Sequence, residues 1–160
     1  MTYSIRPATA GDAATILRFI RELADYEKAL HEVEATEATV TASLFGPDSV
    51  TRAVICEAAD GAPAGFAVWF KTYSTWQAKN GLYLEDLYVT PAHRGAGVGK
   101  RLLRHLARIA VAEGCGRFEW SVLDWNTPAI RVYDAVGAEP QAEWIRYRLS
   151  GEKLRNFADG

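Results

Sequence analysis

The sequence predicts an α/β domain built on a mixed sheet, mostly antiparallel in its first half. Three observations predict it: runs of strand-forming residues, amphipathic runs at helical spacing, and turn residues between them. In chain order the elements read β-α-α-β-β-β-α-β-α-β. With 160 residues the chain is long enough for one domain with a substantial core. We expect that domain at residues 1–150, followed by a polar tail at residues 151–160.

The first part of the chain predicts a strand and two helices. The strand covers Tyr3 to Pro7, and Thr9 with Asp12 is typical of a capping box before the first helix. That helix ends near Tyr26-Glu27-Lys28, and a second helix is expected from Thr36 to Phe45. The acidic linker between the helices is either a solvated face or a surface that attracts a cationic substrate.

Three strands come next in the prediction. They cover Thr51–Glu57, Gly65–Tyr73 and Leu82–Val89, and Asp60-Gly61 predicts a hairpin turn between the first two. A polar loop is expected at Ser74–Gly81. These three strands therefore form consecutive antiparallel neighbours.

The last third of the chain alternates helices and strands. A long amphipathic helix is expected at Val98–Ala112, followed by a strand at Arg117–Leu123. Asn126 suits the N-cap of a short helix at Ala129–Ala135. A final strand is expected at Glu143–Leu149, where apolar residues partly alternate.

Charge and composition exclude several classes of protein. The formal net charge is −2, so no global field attracts nucleic acid or a membrane. No apolar run approaches membrane-spanning length, and the start, Met1 to Pro7, has no apolar signal core. We therefore expect a cytoplasmic protein without nucleic-acid or membrane partners. Cys56 and Cys115 form neither a disulfide framework nor a metal cluster. We expect them to be buried filler, and an acyl-carrying nucleophile is the alternative.

The chemistry is expected where a strand meets three glycines and then a helix. Gly95, Gly97 and Gly99 follow Arg94 at alternating positions. Glycine lets the backbone approach a ligand closely, and the free N–H groups of a helix start favour an anion, typically phosphate. We therefore predict a phosphate-bearing cofactor on Arg94 to Lys100. An ordinary glycine-rich turn is the alternative.

The spacing of these residues excludes two common nucleotide motifs. A P-loop requires glycine five positions before Gly99, where this chain has Arg94. A dinucleotide fingerprint requires glycine three positions after Gly97, where this chain has Lys100. The run from Arg94 to Gly99 instead resembles the R/Q-x-x-G-x-G/A loop that grips the pyrophosphate of acetyl-coenzyme A in GCN5-related N-acetyltransferases.

Acetyl transfer to an amine requires a polarised thioester, a neutral amine and a proton for the leaving thiolate. Backbone groups at the end of the Leu87-Tyr88-Val89 strand are candidates for holding the thioester. Tyr133, late on the short helix, is the candidate acid, because a phenol with a pKa near ~10 suits a thiolate. Core packing is the alternative for this tyrosine.

Two carboxylates, Glu85 and Asp86, interrupt the apolar strand. Alternation places them on opposite faces of the sheet, and an unpaired charge in such a strand is costly. At least one is therefore expected to face a cleft, where Glu85 would bind a substrate ammonium and take its proton, directly or through water. An exposed edge strand or a buried ion pair is the alternative.

The resemblance extends beyond the glycine loop to the diamine (spermidine/spermine) acetyltransferase family, and is closer to its thialysine-acetylating branch. Several separated motifs carry it, in the right order. They are Ile5-Arg6-Pro7-Ala8-Thr9, Ile16-Leu17-Arg18, Glu22-Leu23-Ala24-Asp25-Tyr26-Glu27, Tyr73-Ser74-Thr75-Trp76, Tyr83-Leu84-Glu85-Asp86-Leu87-Tyr88-Val89, Val122-Leu123-Asp124-Trp125-Asn126 and Tyr133.

This resemblance implies a GNAT fold, acetyl-coenzyme A as cosubstrate, and a homodimer with sites near the subunit interface. It implies that Tyr133 is the general acid near the sulfur and that Glu85 lines the substrate-amine site. The implied cofactor-binding residues are Leu87, Tyr88, Val89, Arg94, Gly95, Ala96, Gly97, Val98, Gly99, Lys100, Asn126, Thr127, Pro128 and Ala129. The implied substrate-binding residues are Tyr26, Glu27, Glu85, Glu119, Trp120 and Ser121.

One departure from the family bears on the substrate. Polyamine-acetylating members carry an acidic residue in the loop before the Glu85 strand, where this chain has Ser74-Thr75. We therefore expect an N-acetyltransferase that acts on a thialysine- or lysine-like amino acid or a short diamine, by direct attack in a ternary complex. The alternatives are a protein or peptide acetyltransferase and a non-catalytic sensor of acetyl-coenzyme A.

Overall fold

Five strands and five α-helices form in residues 2–160, the part of the chain that this computed structural model describes. The strands are Tyr3–Pro7 (β1), Arg52–Ala58 (β2), Pro63–Ser74 (β3), Lys79–Val89 (β4) and Phe118–Trp120 (β5). The helices are Ala13–Tyr26 (α1), Glu37–Phe45 (α2), Val98–Ala112 (α3), Thr127–Ala135 (α4) and Gly151–Ala158 (α5). The chain divides into two compact units, the first ending at Asp124 and the second covering Trp125–Gly160.

The sheet has the mixed character that the sequence predicts. Its order is β1-β2-β3-β4-β5, with antiparallel pairing from β1 through β4 and parallel pairing of β4 with β5. Gly61 has a φ of 82°, and glycine tolerates this left-handed conformation in the β2–β3 hairpin without strain. The parallel pair needs a long crossover connection, and α3 lies within it.

The first face of the sheet carries a core shared with α1 and α2. Its largest buried members include Ile16 and Phe19 of α1, Ile55 of β2 and Phe66 of β3. Phe19 packs against Phe66 with ring centroids 5.5 Å apart. Phe19 also packs against Tyr88 of β4, with ring centroids 5.7 Å apart, so α1 lies against the C-terminal half of β4.

Helix α3 packs on the other side of β4. Its buried residues recur at helical spacing: Val98, Leu102, Leu103, Leu106 and Ala110. A Cβ atom built on Gly99 would lie 3.8 Å from side-chain carbons of Leu87 and Val89. Glycine at this position therefore lets the start of α3 approach the end of β4 closely.

The prediction is wrong for the last strand, since Glu143–Leu149 forms no strand. Ile145, Tyr147 and Leu149 do alternate, but alternation stabilises a strand only where a neighbouring edge pairs with it. The sheet within residues 2–160 pairs no strand with this segment, and every residue from 139 to 150 is exposed.

Two further expectations for the chain need correction. The polar tail forms α5, in which Leu154 and Phe157 lie three residues apart on one helical face. The strand expected at Arg117–Leu123 is limited to Phe118–Trp120, because its pairing with β4 ends there. The extent of the domain, residues 1–150, stays a prediction.

In residues 2–160, no helix combines the length and the apolar character that crossing a bilayer requires.

Candidate active site

The predicted glycine loop connects β4 to α3. After Thr90 a short 3-10 turn, Pro91–His93, leads into Arg94. Gly95 and Gly97 have φ angles of 77° and 79°. Residues with a side chain adopt this left-handed conformation only with strain. A Cβ atom on either glycine would meet nothing within 4 Å. The loop therefore needs glycine for its backbone conformation, and the space above it is open to a ligand.

The start of α3 presents backbone donors to that space. The first intrahelical hydrogen bond runs from the Arg101 N–H to the Gly97 carbonyl, at 3.0 Å. The N–H groups of Val98, Gly99 and Lys100 precede it and have no acceptor within the helix. Val98 is 1% exposed, so it offers a ligand its backbone and not its side chain. Together with the positive end of the helix dipole, these donors fit a phosphate.

Arg94 fixes the beginning of the loop. Its Nε donates a hydrogen bond to the Val89 carbonyl at 3.0 Å. Its guanidinium lies 5.4 Å from the ring centroid of Tyr26 and 5.5 Å from that of Tyr88, within cation–π range. One residue of the predicted cofactor site thus contacts one residue of the predicted substrate site.

A hydrogen bond supports the same loop from β1. The Tyr3 hydroxyl lies 3.1 Å from Nδ1 of His93, and the two rings meet edge to face. Tyr3 is 8% exposed and the contact is partly buried. Sequence reasoning missed this pair, because 90 residues separate its members and neither belongs to a recognisable motif.

The edge of β4 that faces β5 is open at its C-terminal end. The parallel pairing stops at Leu84 and Trp120, whereas β4 continues to Val89. Residues 85–89 therefore have no strand partner on that edge within the described chain. Backbone donors and acceptors at Leu87, Tyr88 and Val89 are placed where a thioester and its pantetheine amides could bind them. The Tyr88 ring itself is 5% exposed, so Tyr88 contributes through its backbone.

A β-bulge changes the direction of the two carboxylates in β4. Asp86 lies opposite Val68, but Leu84 lies opposite Trp69, so Glu85 is the extra residue. The prediction that simple alternation sets the faces here is therefore wrong. Directly opposite residues share a face, which places Asp86 on the face of Val68, toward α1 and α2. Without the bulge, Asp86 would share the face of Leu84.

Two other carboxylates lie near enough to Asp86 to affect its ionisation. Burial, the charge of Glu85 and the charge of Glu27 raise the pKa of Asp86 to about 6. Burial also raises the pKa of Glu27, which follows the last residue of α1. Glu85 is exposed. The region therefore has a concentrated negative charge and suits an ammonium group.

The predicted substrate residues of β5 lie where β5 leaves β4. Glu119 pairs with Tyr83 and Trp120 pairs with Leu84. The Tyr83 hydroxyl and the Ser121 Oγ are 2.7 Å apart. In the first unit, the structure thus gathers the predicted residues of β4, β5, the glycine loop and the end of α1 around the open edge of β4.

The remaining predicted residues belong to the second unit. Asn126 is the N-cap of α4, as predicted, and its side chain accepts a hydrogen bond from the Ala129 N–H at 3.4 Å. Thr127 and Pro128 form the first turn of α4, and Tyr133 lies two residues before its end. Tyr133 is partly exposed, which does not favour the alternative that it is a core residue.

Comparison with known proteins gives one consistent result. Residues 17–138 match the acetyltransferase (GNAT) family. The chain is 38% identical to a thialysine N-epsilon-acetyltransferase of Sus scrofa over 164 aligned positions, which cover 96% of each protein. It is 33% identical to a thialysine N-epsilon-acetyltransferase of Caenorhabditis elegans, with 98% of each covered. An integron cassette protein from Vibrio cholerae superposes with a TM-score of 0.82 at 26% identity, over 100% of this chain and 99% of that one.

Proposed function

The chain belongs to the acetyltransferase (GNAT) family and is an acetyl-coenzyme A-dependent N-acetyltransferase, and we propose that its acceptor is a small amine. The favoured class is a thialysine- or lysine-like amino acid or a short diamine. Support comes from the full-length similarity to enzymes named for thialysine. The charge of the candidate site, with Glu27, Glu85 and Asp86 near one strand bulge, suits a cationic acceptor.

The cosubstrate is proposed to lie along the glycine loop and the open edge of β4. Gly95, Gly97 and the first N–H groups of α3 would hold the pyrophosphate, and Lys100 adds a positive charge. Backbone groups of Leu87 to Val89 would orient and polarise the thioester carbonyl. Asn126, Thr127, Pro128 and Ala129 are proposed to contact the cosubstrate as well. When bound, acetyl-coenzyme A supplies an activated acetyl group.

Proton transfer is proposed to involve one acid and one carboxylate. Tyr133 would donate a proton to the leaving thiolate. Glu85, near the β4 bulge, would help to remove a proton from the acceptor ammonium, directly or through water. The amine would attack directly in a ternary complex. Tyr26, Glu27, Glu119, Trp120 and Ser121 are proposed to line the acceptor site.

A short acceptor is favoured over a long polyamine. Ser74, the last residue of β3, and Thr75 stand where the family resemblance places an acidic residue in polyamine-acetylating members. This chain therefore lacks a charge there for a distant second ammonium. The experiment is thiol release from acetyl-coenzyme A with thialysine, lysine, ornithine, putrescine, spermidine and a lysine peptide. The highest kcat/KM is expected with one of the small amines. Preference for the peptide would favour a protein acetyltransferase, and binding of acetyl-coenzyme A without release on any amine would favour a sensor.

A homodimer in the cytoplasm is proposed from the same family resemblance. In the second unit Trp144, Ile145 and Tyr147 are 68%, 78% and 91% exposed, a large apolar surface for a chain on its own. Light scattering at several protein concentrations would detect the dimer. A single species at the monomer mass of 17.6 kDa would contradict it.

A further inference from the structure

We propose that Tyr3 and His93 are positioning residues for the acetyl donor. Their contact holds the Pro91–His93 turn near β1, so that the glycine loop keeps the conformation in which it binds the pyrophosphate of acetyl-coenzyme A. Both residues act through the loop and not on the reacting atoms. This inference rests on the proposed function, because it assigns part of the donor affinity of that loop to a contact outside it.

The first support is the geometry of the contact. The Tyr3 hydroxyl lies 3.1 Å from Nδ1 of His93, within hydrogen-bond distance. The two ring centroids are 5.7 Å apart and the rings are inclined by 87°, an edge-to-face arrangement that aromatic rings favour. The Tyr3 ring is buried, so packing limits its movement and fixes the direction of its hydroxyl.

The second support is the face of the sheet on which Tyr3 lies. Ile55 belongs to the core shared with α1 and α2, so the next residue, Cys56, faces the side on which α3 packs. Ile5 pairs with Cys56 and shares its face. Tyr3 precedes Ile5 by two residues and therefore lies on the same side of the sheet as α3, whose first N–H groups are proposed to bind the pyrophosphate.

The third support is the span of the contact. Strands β2 and β3 lie between β1 and β4, so the contact bridges two intervening strands. Local hydrogen bonds shape the turn itself: the His93 N–H donates to the Thr90 carbonyl at 3.0 Å, and the Arg94 N–H donates to the Pro91 carbonyl at 3.3 Å. These bonds set the conformation of the turn, whereas the contact with Tyr3 sets its placement relative to β1.

The fourth support is the place of His93 in the chain. His93 ends the turn and directly precedes Arg94, after which the glycine loop begins. Gly95 and Gly97 give this loop many accessible conformations, because neither carries a Cβ atom. A fixed residue at the start of such a loop reduces the entropy that is lost when a ligand orders it. The contact should therefore strengthen binding of the pyrophosphate without touching it.

The test is a double-mutant cycle on the affinity for coenzyme A, measured by calorimetric titration of the full-length protein. Tyr3→Phe keeps the ring and removes the hydroxyl, and His93→Leu removes the partner nitrogen. Each single change should weaken binding about three- to tenfold, the effect of one hydrogen bond. The double variant should lose no more than about the same factor, because all three variants lack the same bond. His93→Asn, whose amide can replace Nδ1, should recover part of the affinity.

S-acetylpantetheine is the matched control donor, because it carries the same thioester but lacks the pyrophosphate. Tyr3→Phe should raise the KM of acetyl-coenzyme A by the factor found in the titration. The kcat and the KM of the amine should stay nearly unchanged. With S-acetylpantetheine, kcat/KM should be the same in Tyr3→Phe and in wild type, since the loop has no pyrophosphate to bind.

Unchanged affinity for coenzyme A in Tyr3→Phe would overturn the inference. Additive losses in the cycle would overturn it as well, and so would an equal loss of kcat/KM on both donors, which a general structural defect produces. A thermal melt checks the folding of each variant. His93 is half-buried, so His93→Leu and His93→Asn carry the test if Tyr3→Phe does not fold. A wild-type protein that binds coenzyme A but acetylates no amine would instead overturn the proposed function.

Discussion

At the scale of single residues, the sequence pattern predicts which side chains could form the site but not how each side chain is directed. Glu85 and Asp86 stood out as charges in an apolar strand, and both lie near the predicted site. The direction of Asp86 depends on a bulge that no local sequence signal shows, since Glu85 is neither glycine nor proline. The face of the sheet on which Asp86 lies therefore needed the register of β3 against β4.

The role of Tyr133 can be tested by removing one oxygen. Tyr133→Phe keeps the ring, so the packing of α4 should be retained, while the proton donor for the thiolate is lost. We expect kcat to fall about 100-fold or more with little change in the affinity for acetyl-coenzyme A. Steady-state kinetics and calorimetric titration measure the two quantities. Unchanged turnover would exclude Tyr133 as the acid.

A second residue-scale prediction concerns stability in acid. Arg6 forms a bidentate ion pair with Asp12, at 2.8 and 2.9 Å, and also contacts Glu57. Hydrogen bonding to Arg6 lowers the pKa of Asp12 from 3.8 to about 2. A carboxyl whose pKa is lower in the folded state stabilises the fold above its unfolded pKa and loses this effect as the pH falls.

The stabilisation by Asp12 should therefore be complete above pH ~5 and lost between pH ~4 and ~2. Asp12→Asn should cost about 2 kcal/mol in the free energy of unfolding at pH 7. Arg18→Gln, which breaks the exposed pair of Arg18 with Glu22, is the control and should cost less than about 0.5 kcal/mol. Urea unfolding at a series of pH values measures both changes. A constant difference between Asp12→Asn and wild type from pH 7 to pH 2 would contradict the assignment.

At the scale of secondary structure, most of the fold was predictable because most elements carry their own signals. The capping box at Thr9 and Asp12, the hydrophobic face of α3 and the Asn126 cap of α4 all act over a few residues. The segment Glu143–Leu149 was mispredicted, because a strand depends on a distant partner edge. Leu154 and Phe157 lie at helical spacing and could have predicted α5, but the polar composition of the segment obscured this pattern.

The glycine loop makes a prediction at this scale. Gly97 and Gly114 lie beyond the two ends of α3 with φ angles of 79° and 69°, and a Cβ on either would meet nothing within 4 Å. Alanine should therefore strain both backbones alike and cost about 1 kcal/mol of stability each. Only Gly97→Ala should also weaken acetyl-coenzyme A binding, because only Gly97 lies in the loop. Thermal melts and titration of both variants test this, and equal loss of affinity in both would contradict the site.

At the scale of the whole molecule, the predicted site residues of the first unit lie around one region of the sheet. Strand β4 leaves β5 at Leu84, the glycine loop follows Val89, and the end of α1 approaches through Tyr26 and Arg94. The sequence could predict this set of residues, since the motifs fall in the family's order. It could not predict the contacts between elements, such as Tyr3 with His93, because they depend on packing of the complete sheet.

The most direct measurement is the rate of thiol release from acetyl-coenzyme A with thialysine, compared with spermidine and a lysine peptide. We expect rapid release with thialysine or another small amine and slower release with spermidine. Mass spectrometry should identify the N-acetylated small amine as the product. Release with the peptide alone, or tight binding of acetyl-coenzyme A without release on any amine, would contradict the central claim that this chain acetylates a small amine.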